Sequence, residues 1–178
     1  MRITAGKWRN RKTVTPKGDH TRPTPSRVRE AIFNICQGTI EGSDVLDLFA
    51  GSGIMSLEAL SRGANSATLI ENSSAAKRCI QQNLETFDAD AKLLFGDVFQ
   101  QLKRLKEKGQ TFDLIYADPP YNKGFGEKLV QFIDQSNLLA TGGIFFLEEG
   151  EKLSLSLKNL ALKDIRPYGS TFLHQMVM

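Results

Sequence analysis

The segment Asp118-Pro119-Pro120-Tyr121 follows directly on the apolar run FDLIYA at 112–117. Two successive prolines hold the backbone extended, so the Asp118 carboxylate and the Pro119 carbonyl can point into one small space. That space suits a planar amino group. An exocyclic amine on a nucleobase is a poor nucleophile because its lone pair is delocalised into the ring. Two acceptors on its hydrogens orient the nitrogen and favour loss of that conjugation as it attacks a methyl carbon. Tyr121 then offers a face on which the base can stack. The chemistry is an in-line displacement driven by positioning. The surplus proton can leave to water, so neither a metal nor a strong general base is called for.

A second group of residues has the makings of a cofactor site. Asp47-Leu48-Phe49-Ala50-Gly51-Ser52-Gly53 runs from an apolar stretch into a glycine loop ahead of a helical pattern. Glycines there let a ligand approach the backbone at a helix N-terminus. Glu71, followed by Asn72, closes the next apolar run, where a carboxylate can accept from both ribose hydroxyls. Asp97, followed by Val98, closes the third and is placed to meet an adenine edge. A glycine pair plus an acid fits NAD as well as S-adenosylmethionine. Ser56 stands where a dinucleotide site has its third glycine, and Asp47 sets a carboxylate at the mouth of the loop. That charge repels a pyrophosphate and attracts an ammonium or a sulfonium. The candidate cofactor set is therefore Asp47, Phe49, Gly51, Gly53, Glu71, Asn72, Asp97 and Val98, with S-adenosylmethionine as ligand.

The elements that must position these residues alternate. DVLDLF (44–49), SATLIE (66–71), AKLLF (91–95), FDLIYA (112–117) and GIFFLE (143–148) read as buried strands. Between them lie segments rich in helix formers, which predicts a parallel sheet with helices on both faces. ALKDIR and TFLHQMVM, separated by the turn-like PYGS, predict an antiparallel hairpin that closes the sheet. The expected total is seven strands, five of them parallel. Ahead of the sheet, Thr24 as N-cap and Pro25 at the first helical position predict a helix carrying Val28, Ala31, Ile32 and Ile35, with Gly38 ending it.

The 178 residues, 40% hydrophobic and 24% charged, fit one compact domain and exclude a disordered chain. No apolar run is long enough to span a membrane, and MRITAGKWRNRK has no apolar block behind its charge, so a cytoplasmic protein is expected. Cys36 and Cys79 lie outside any CxxC spacing and are expected as buried thiols. His20 and His174 have no partner at metal or triad spacing, and a structural role is expected of each. Residues 1–30 carry nine Lys or Arg against two acids, a net +7, while the remainder carries −4. Such segregation points to a polyanionic partner. Within this arm Trp8, between Lys7 and Arg9, could stack on a base or pack against the sheet edge.

DLFAGSG together with DPPY resembles the class I S-adenosylmethionine-dependent methyltransferases that act on amino nitrogens. RITAGKWRNRKTVTP, TRPTPSRVREAIFN, LEALSRGA and the terminal YGST resemble, in order along nearly the whole chain, the RsmD family, the bacterial 16S ribosomal RNA guanine-N2 methyltransferases. The resemblance implies a Rossmann-like α/β fold in which a basic arm and helix (1–40) pack on a methyltransferase domain (41–178). It implies that Asp118, Pro119 and Tyr121 hold the target guanine and that Thr24 and Arg27 sit over the cleft. Lys7, Trp8, Arg9, Arg11, Lys12 and Arg22 join these last two as candidate RNA contacts. The partner implied is 16S ribosomal RNA or an assembly intermediate of the small subunit, with the guanine unstacked from a loop. Two other readings compete: a DNA adenine-N6 methyltransferase, which shares DPPY but would need a segment to read duplex sequence, and a non-catalytic RNA-binding assembly factor.

Overall fold

The computed structural model describes residues 1–16, 26–121 and 123–178. Thr24, Pro25, His20 and Arg22 therefore lie outside the described residues. Helices are α1 (Ser26–Ile35), α2 (Ile54–Ser61), α3 (Ser74–Phe87), α4 (Val98–Glu107) and α5 (Phe125–Asp134); strands are β1 (Asp44–Leu48), β2 (Ser66–Glu71), β3 (Lys92–Phe95), β4 (Phe112–Ala117), β5 (Leu139–Glu149), β6 (Ala161–Tyr168) and β7 (Thr171–Val177). The sheet order is β3-β2-β1-β4-β5-β7-β6. The first five strands are parallel, and β7 pairs antiparallel with both β5 and β6. The expected hairpin is present, with β7 inserted beside β5 and β6 left at the edge. Two strand boundaries differ most from expectation: β5 begins at Leu139 rather than Gly143, its pairing with β4 shifting register between Phe112 and Leu114, and β6 runs through Pro167 to Tyr168, which leaves only Gly169 and Ser170 as the turn.

Alternation along each strand divides the core in two. Val45, Leu69, Leu114, Tyr116 and Phe146 face one layer, with Val28, Ile32 and Phe33 of α1, Leu57 of α2 and Ile80 and Phe87 of α3. Leu46, Leu48, Ile70, Ile115, Phe145 and Leu147 face the other, with Leu102 and Leu105 of α4 and Leu129, Val130 and Ile133 of α5. Strands covered on both faces read as continuous apolar runs, which is why they stood out in the sequence.

The N-terminal arm belongs to the first layer. Arg2 and Lys12 form an antiparallel bridge, and Ile3 N–H donates to Arg11 O at 3.0 Å. Ile3 and Trp8 join the same cluster as α1 and the sheet, so residues 1–16 share the core rather than form a second one. Gly6 is required at the contact: at φ +78°, a Cβ there would lie 1.8 Å from Ser61 O. All eight residues of α2 are buried, including three polar ones, and each of these is used. Ser56 donates to Asp47, Ser61 binds Trp8 N–H and Ala5 O, and Glu58 accepts from Thr4 and pairs with Arg29 and Arg62. A buried carboxylate between two guanidinium groups clamps the arm and α1 to α2, and removing one partner would strand charge in the core.

Candidate functional site

The carboxyl ends of β1, β2 and β4 lie side by side, with Leu48 opposite both Ile70 and Ala117. Past those ends the chain delivers Phe49–Gly53, Asn72 and Asp118 to one end of the sheet. Asp47 is 1% exposed. Its Oδ2 accepts from Ser56 N at 3.2 Å and Ser56 Oγ at 2.8 Å. Its Oδ1 is buried with no hydrogen-bond partner among the described residues. Burial pushes the carboxyl up to about 7; the Ser56 bonds oppose this, and the charges of Glu71 and Asp118 add to it. Two carboxylates thus act on Asp47 at this end of the sheet, an arrangement that attracts a cation.

Phe49 leaves β1 at φ +60°, a conformation that costs a non-glycine residue energy and often marks a functional turn. Its ring meets Phe125 edge-on at 5.6 Å. Gly51 and Gly53 have φ +57° and +74°. Among the described residues a Cβ on Gly51 would meet only Phe49 O, at 3.9 Å, which leaves this stretch of backbone room for a ligand beside them; at Gly53 a Cβ would press on Leu69 at 3.1 Å, so that glycine serves loop-to-sheet packing. Glu71 holds the loop: Oε2 accepts from Gly51 N, and Oε1 from Asn72 N and Ser73 N, all at 2.8 Å. A carboxylate has about four acceptor positions, so the expectation that Glu71 takes both ribose hydroxyls narrows to one of them.

Two residues of the cofactor set have structural work as well. Asp97 is the N-cap of α4, its Oδ1 accepting from Gln100 N at 3.0 Å. Val98 is 4% exposed and packs with Leu102 and Leu105 in the core. Asn72 is exposed beside Glu71.

On the β4 side, Asp118 is half-buried and Pro119 buried. Tyr121 is held from two sides: its hydroxyl lies 3.1 Å from Thr171 Oγ1, and its ring lies over Gly150, where a Cβ would come within 3.4 Å of Cδ2. Tyr116, two residues before Asp118 and on the same face, donates to the buried Glu148 carboxylate. Thr171 and Glu148 read in the sequence only as strand residues, and Gly150 was not singled out there.

The arm places its cations outward. Lys7, Arg9, Arg11, Lys12 and, on α1, Arg27 are exposed. Lys7 Nζ sits 4.4 Å from the Trp8 ring centroid, and Arg11 stacks over Phe87 at 4.3 Å while donating to Thr86 O. Trp8 is a correction: it is 8% exposed and meets Phe87 edge-on at 5.3 Å, so it packs in the core rather than offering a face to a base. His174 is buried in β7, its Nε2 accepting from Leu153 N, and burial lowers its pKa. Among the described residues no group of three or more potential metal ligands converges, and no helix is long and apolar enough to cross a membrane.

The chain is similar to known proteins in sequence and in fold. A family model described as conserved hypothetical protein 95 matches residues 1–177. The ribosomal RNA small subunit methyltransferase D of Escherichia coli K12 is 36% identical over 149 residues, 83% of this chain and 74% of the relative. A hypothetical protein of Thermus thermophilus, solved as a structure, superposes with a TM-score of 0.87 at 30% identity, covering 100% of this chain and 99% of that one. An S-adenosylmethionine-dependent methyltransferase from Agrobacterium tumefaciens shares the fold at 21% identity, with a TM-score of 0.62 over 76% of this chain and 47% of its own.

Proposed function

The chain belongs to the family described as conserved hypothetical protein 95, the RsmD family, and on that basis we propose that it methylates the N2 amine of a guanine in 16S ribosomal RNA, using S-adenosylmethionine. The observation that carries this reading is the pairing, on adjacent strands β1 and β4, of a buried carboxylate with an unused acceptor at Asp47 and the rigid Asp118-Pro119-Pro120-Tyr121 turn.

The bound cofactor supplies an electrophilic methyl group on a positively charged sulfur. The residues present fit it. Asp47 Oδ1 is the acceptor a cationic amino group requires, Gly51 lets it reach the backbone, and Glu71 retains room for one ribose hydroxyl. Asp118 and the Pro119 carbonyl accept the two hydrogens of the guanine amine, fixing its nitrogen and weakening its conjugation with the ring. Tyr121, braced by Thr171, stacks on the base. The exposed arm cations Arg9 and Lys12, with Lys7 and Arg11, contact phosphates. The substrate in this reading is 16S ribosomal RNA, free or within a small-subunit assembly intermediate, and a cytoplasmic location goes with it.

Incubation with S-adenosylmethionine carrying a labelled methyl group, and with 16S RNA either free or within small subunits, tests the reading. Label in RNA at a guanine supports it. Tight cofactor binding without transfer to either substrate would favour a non-catalytic assembly factor instead.

A further inference from the structure

Asn83, on α3, is 2% exposed, and its carboxamide is fully engaged. Oδ1 accepts from Val14 N at 2.9 Å, and Nδ2 donates to Val14 O at 3.0 Å and to Ser52 O at 2.8 Å. The first two bonds pair Val14 as a neighbouring strand would. The third reaches Ser52, between the two glycines of the cofactor loop. One rigid amide therefore joins the end of the arm to the loop that wraps the cofactor, across separations of 69 and 31 residues.

The loop is fixed from two directions. Glu71 of β2 takes Gly51 N–H, and Asn83 of α3 holds the next carbonyl. The arm is tied to α3 again one turn later, through Arg11 and Thr86 O. Because both hydrogens sit on one planar nitrogen, moving Ser52 O turns the plane that pairs with Val14. A buried amide that loses one partner bears the cost of an unmet donor, so the two contacts stand or fall together.

We infer that Asn83 is a positioning residue that couples the arm to the cofactor loop, so that occupancy of either site raises the affinity of the other. This rests on the reading of the two sites as cofactor and RNA sites. Reciprocity follows from linkage: the factor by which RNA tightens cofactor binding equals the factor by which cofactor tightens RNA binding.

The test measures binding of S-adenosylhomocysteine, the unreactive product, to the full chain with and without saturating unmethylated 16S RNA, and the converse. In the parent the RNA should tighten cofactor binding by about fivefold or more. Asn83→Ala should reduce that factor to below about twofold. Val14→Pro removes the arm's N–H from the contact and fixes φ at this position, at a residue 40% exposed. It should reduce the coupling factor to below about twofold, and Val14→Ala, which keeps the N–H, should couple as the parent does. A merely structural role would lower the melting temperature and leave the factor intact. Retained coupling in either folded variant, no coupling in the parent, or an equal loss of RNA affinity with and without cofactor overturns the inference. A parent that binds neither ligand overturns the functional reading instead.

Discussion

Glu71 Oε2 accepts the Gly51 N–H at 2.8 Å, so the last side chain of β2 sets the position of the loop that leaves β1. With Oε1 already taken by Asn72 and Ser73 N–H, about one acceptor position is left for the proposed ribose contact. Glu71→Ala should weaken cofactor binding, and a 2′- or 3′-deoxy cofactor analogue should identify the hydroxyl concerned. Only one of the two analogues should bind more weakly to the parent, and that penalty should vanish in Glu71→Ala. Equal penalties in parent and variant would remove Glu71 from the ribose.

Asp47, with its carboxyl raised to about 7 by burial, is partly protonated at neutral pH in the ligand-free protein. Affinity for the cationic cofactor should therefore rise as pH climbs from 6 to 8, roughly through that value. Asp47→Asn should bind weakly and without this pH dependence. The stability effect has the opposite sign. A carboxyl raised in the folded state contributes stability below its unfolded value of 3.8 that is lost as pH rises toward about 7. The ligand-free Asp47→Asn protein should thus melt higher than the parent at pH 8, and the advantage should shrink on acidification. Calorimetric titrations and melting curves at several pH values check both.

Thr171 holds the Tyr121 hydroxyl at 3.1 Å. Thr171→Val should leave cofactor affinity unchanged and lower kcat/KM for RNA by about tenfold, equivalent to about 1.4 kcal/mol. Thr171→Ser, which keeps the hydroxyl, should restore most of it. An inert Thr171→Val would show that Tyr121 needs no such brace.

Among the arm cations, Lys7 and Arg11 also pack on Trp8 and Phe87, whereas Arg9 and Lys12 are exposed and make no such ring contact among the described residues. Arg9→Ala with Lys12→Ala should flatten the salt dependence of RNA binding by about 1 to 2 in log–log slope and spare the melting temperature. Adding Lys7→Ala and Arg11→Ala should flatten it further and also lower the melting temperature. An unaltered slope in the double variant would assign the arm to packing alone.

The strands and the Asp47–Gly53 and Asp118–Tyr121 segments were legible in the sequence because each is a local pattern: an apolar run, then residues whose backbone restrictions are their own. What escaped notice depends on distant neighbours. Asn83, Glu58 and Thr171 are polar residues on a helix or strand, and polar residues there ordinarily face water. Only their partners, 69, 54 and 50 residues away, reveal them as buried ties. Trp8, for which stacking on a base and packing were both open, is decided in the same way. Its basic neighbours suggested an exposed aromatic, yet Phe87 and the arm's pairing turn the ring inward while Lys7 lies over it.

Nucleoside analysis of the methylated RNA tests the central claim most directly. After reaction with labelled S-adenosylmethionine, digestion of 16S RNA and separation of its nucleosides should yield label in N2-methylguanosine, from one position, with the parent protein. Asp118→Ala should give at least about a hundredfold less, a loss of about 2.7 kcal/mol in transition-state stabilisation, at near-parental cofactor affinity. Label in N6-methyladenosine, or undiminished transfer by Asp118→Ala, would contradict the account.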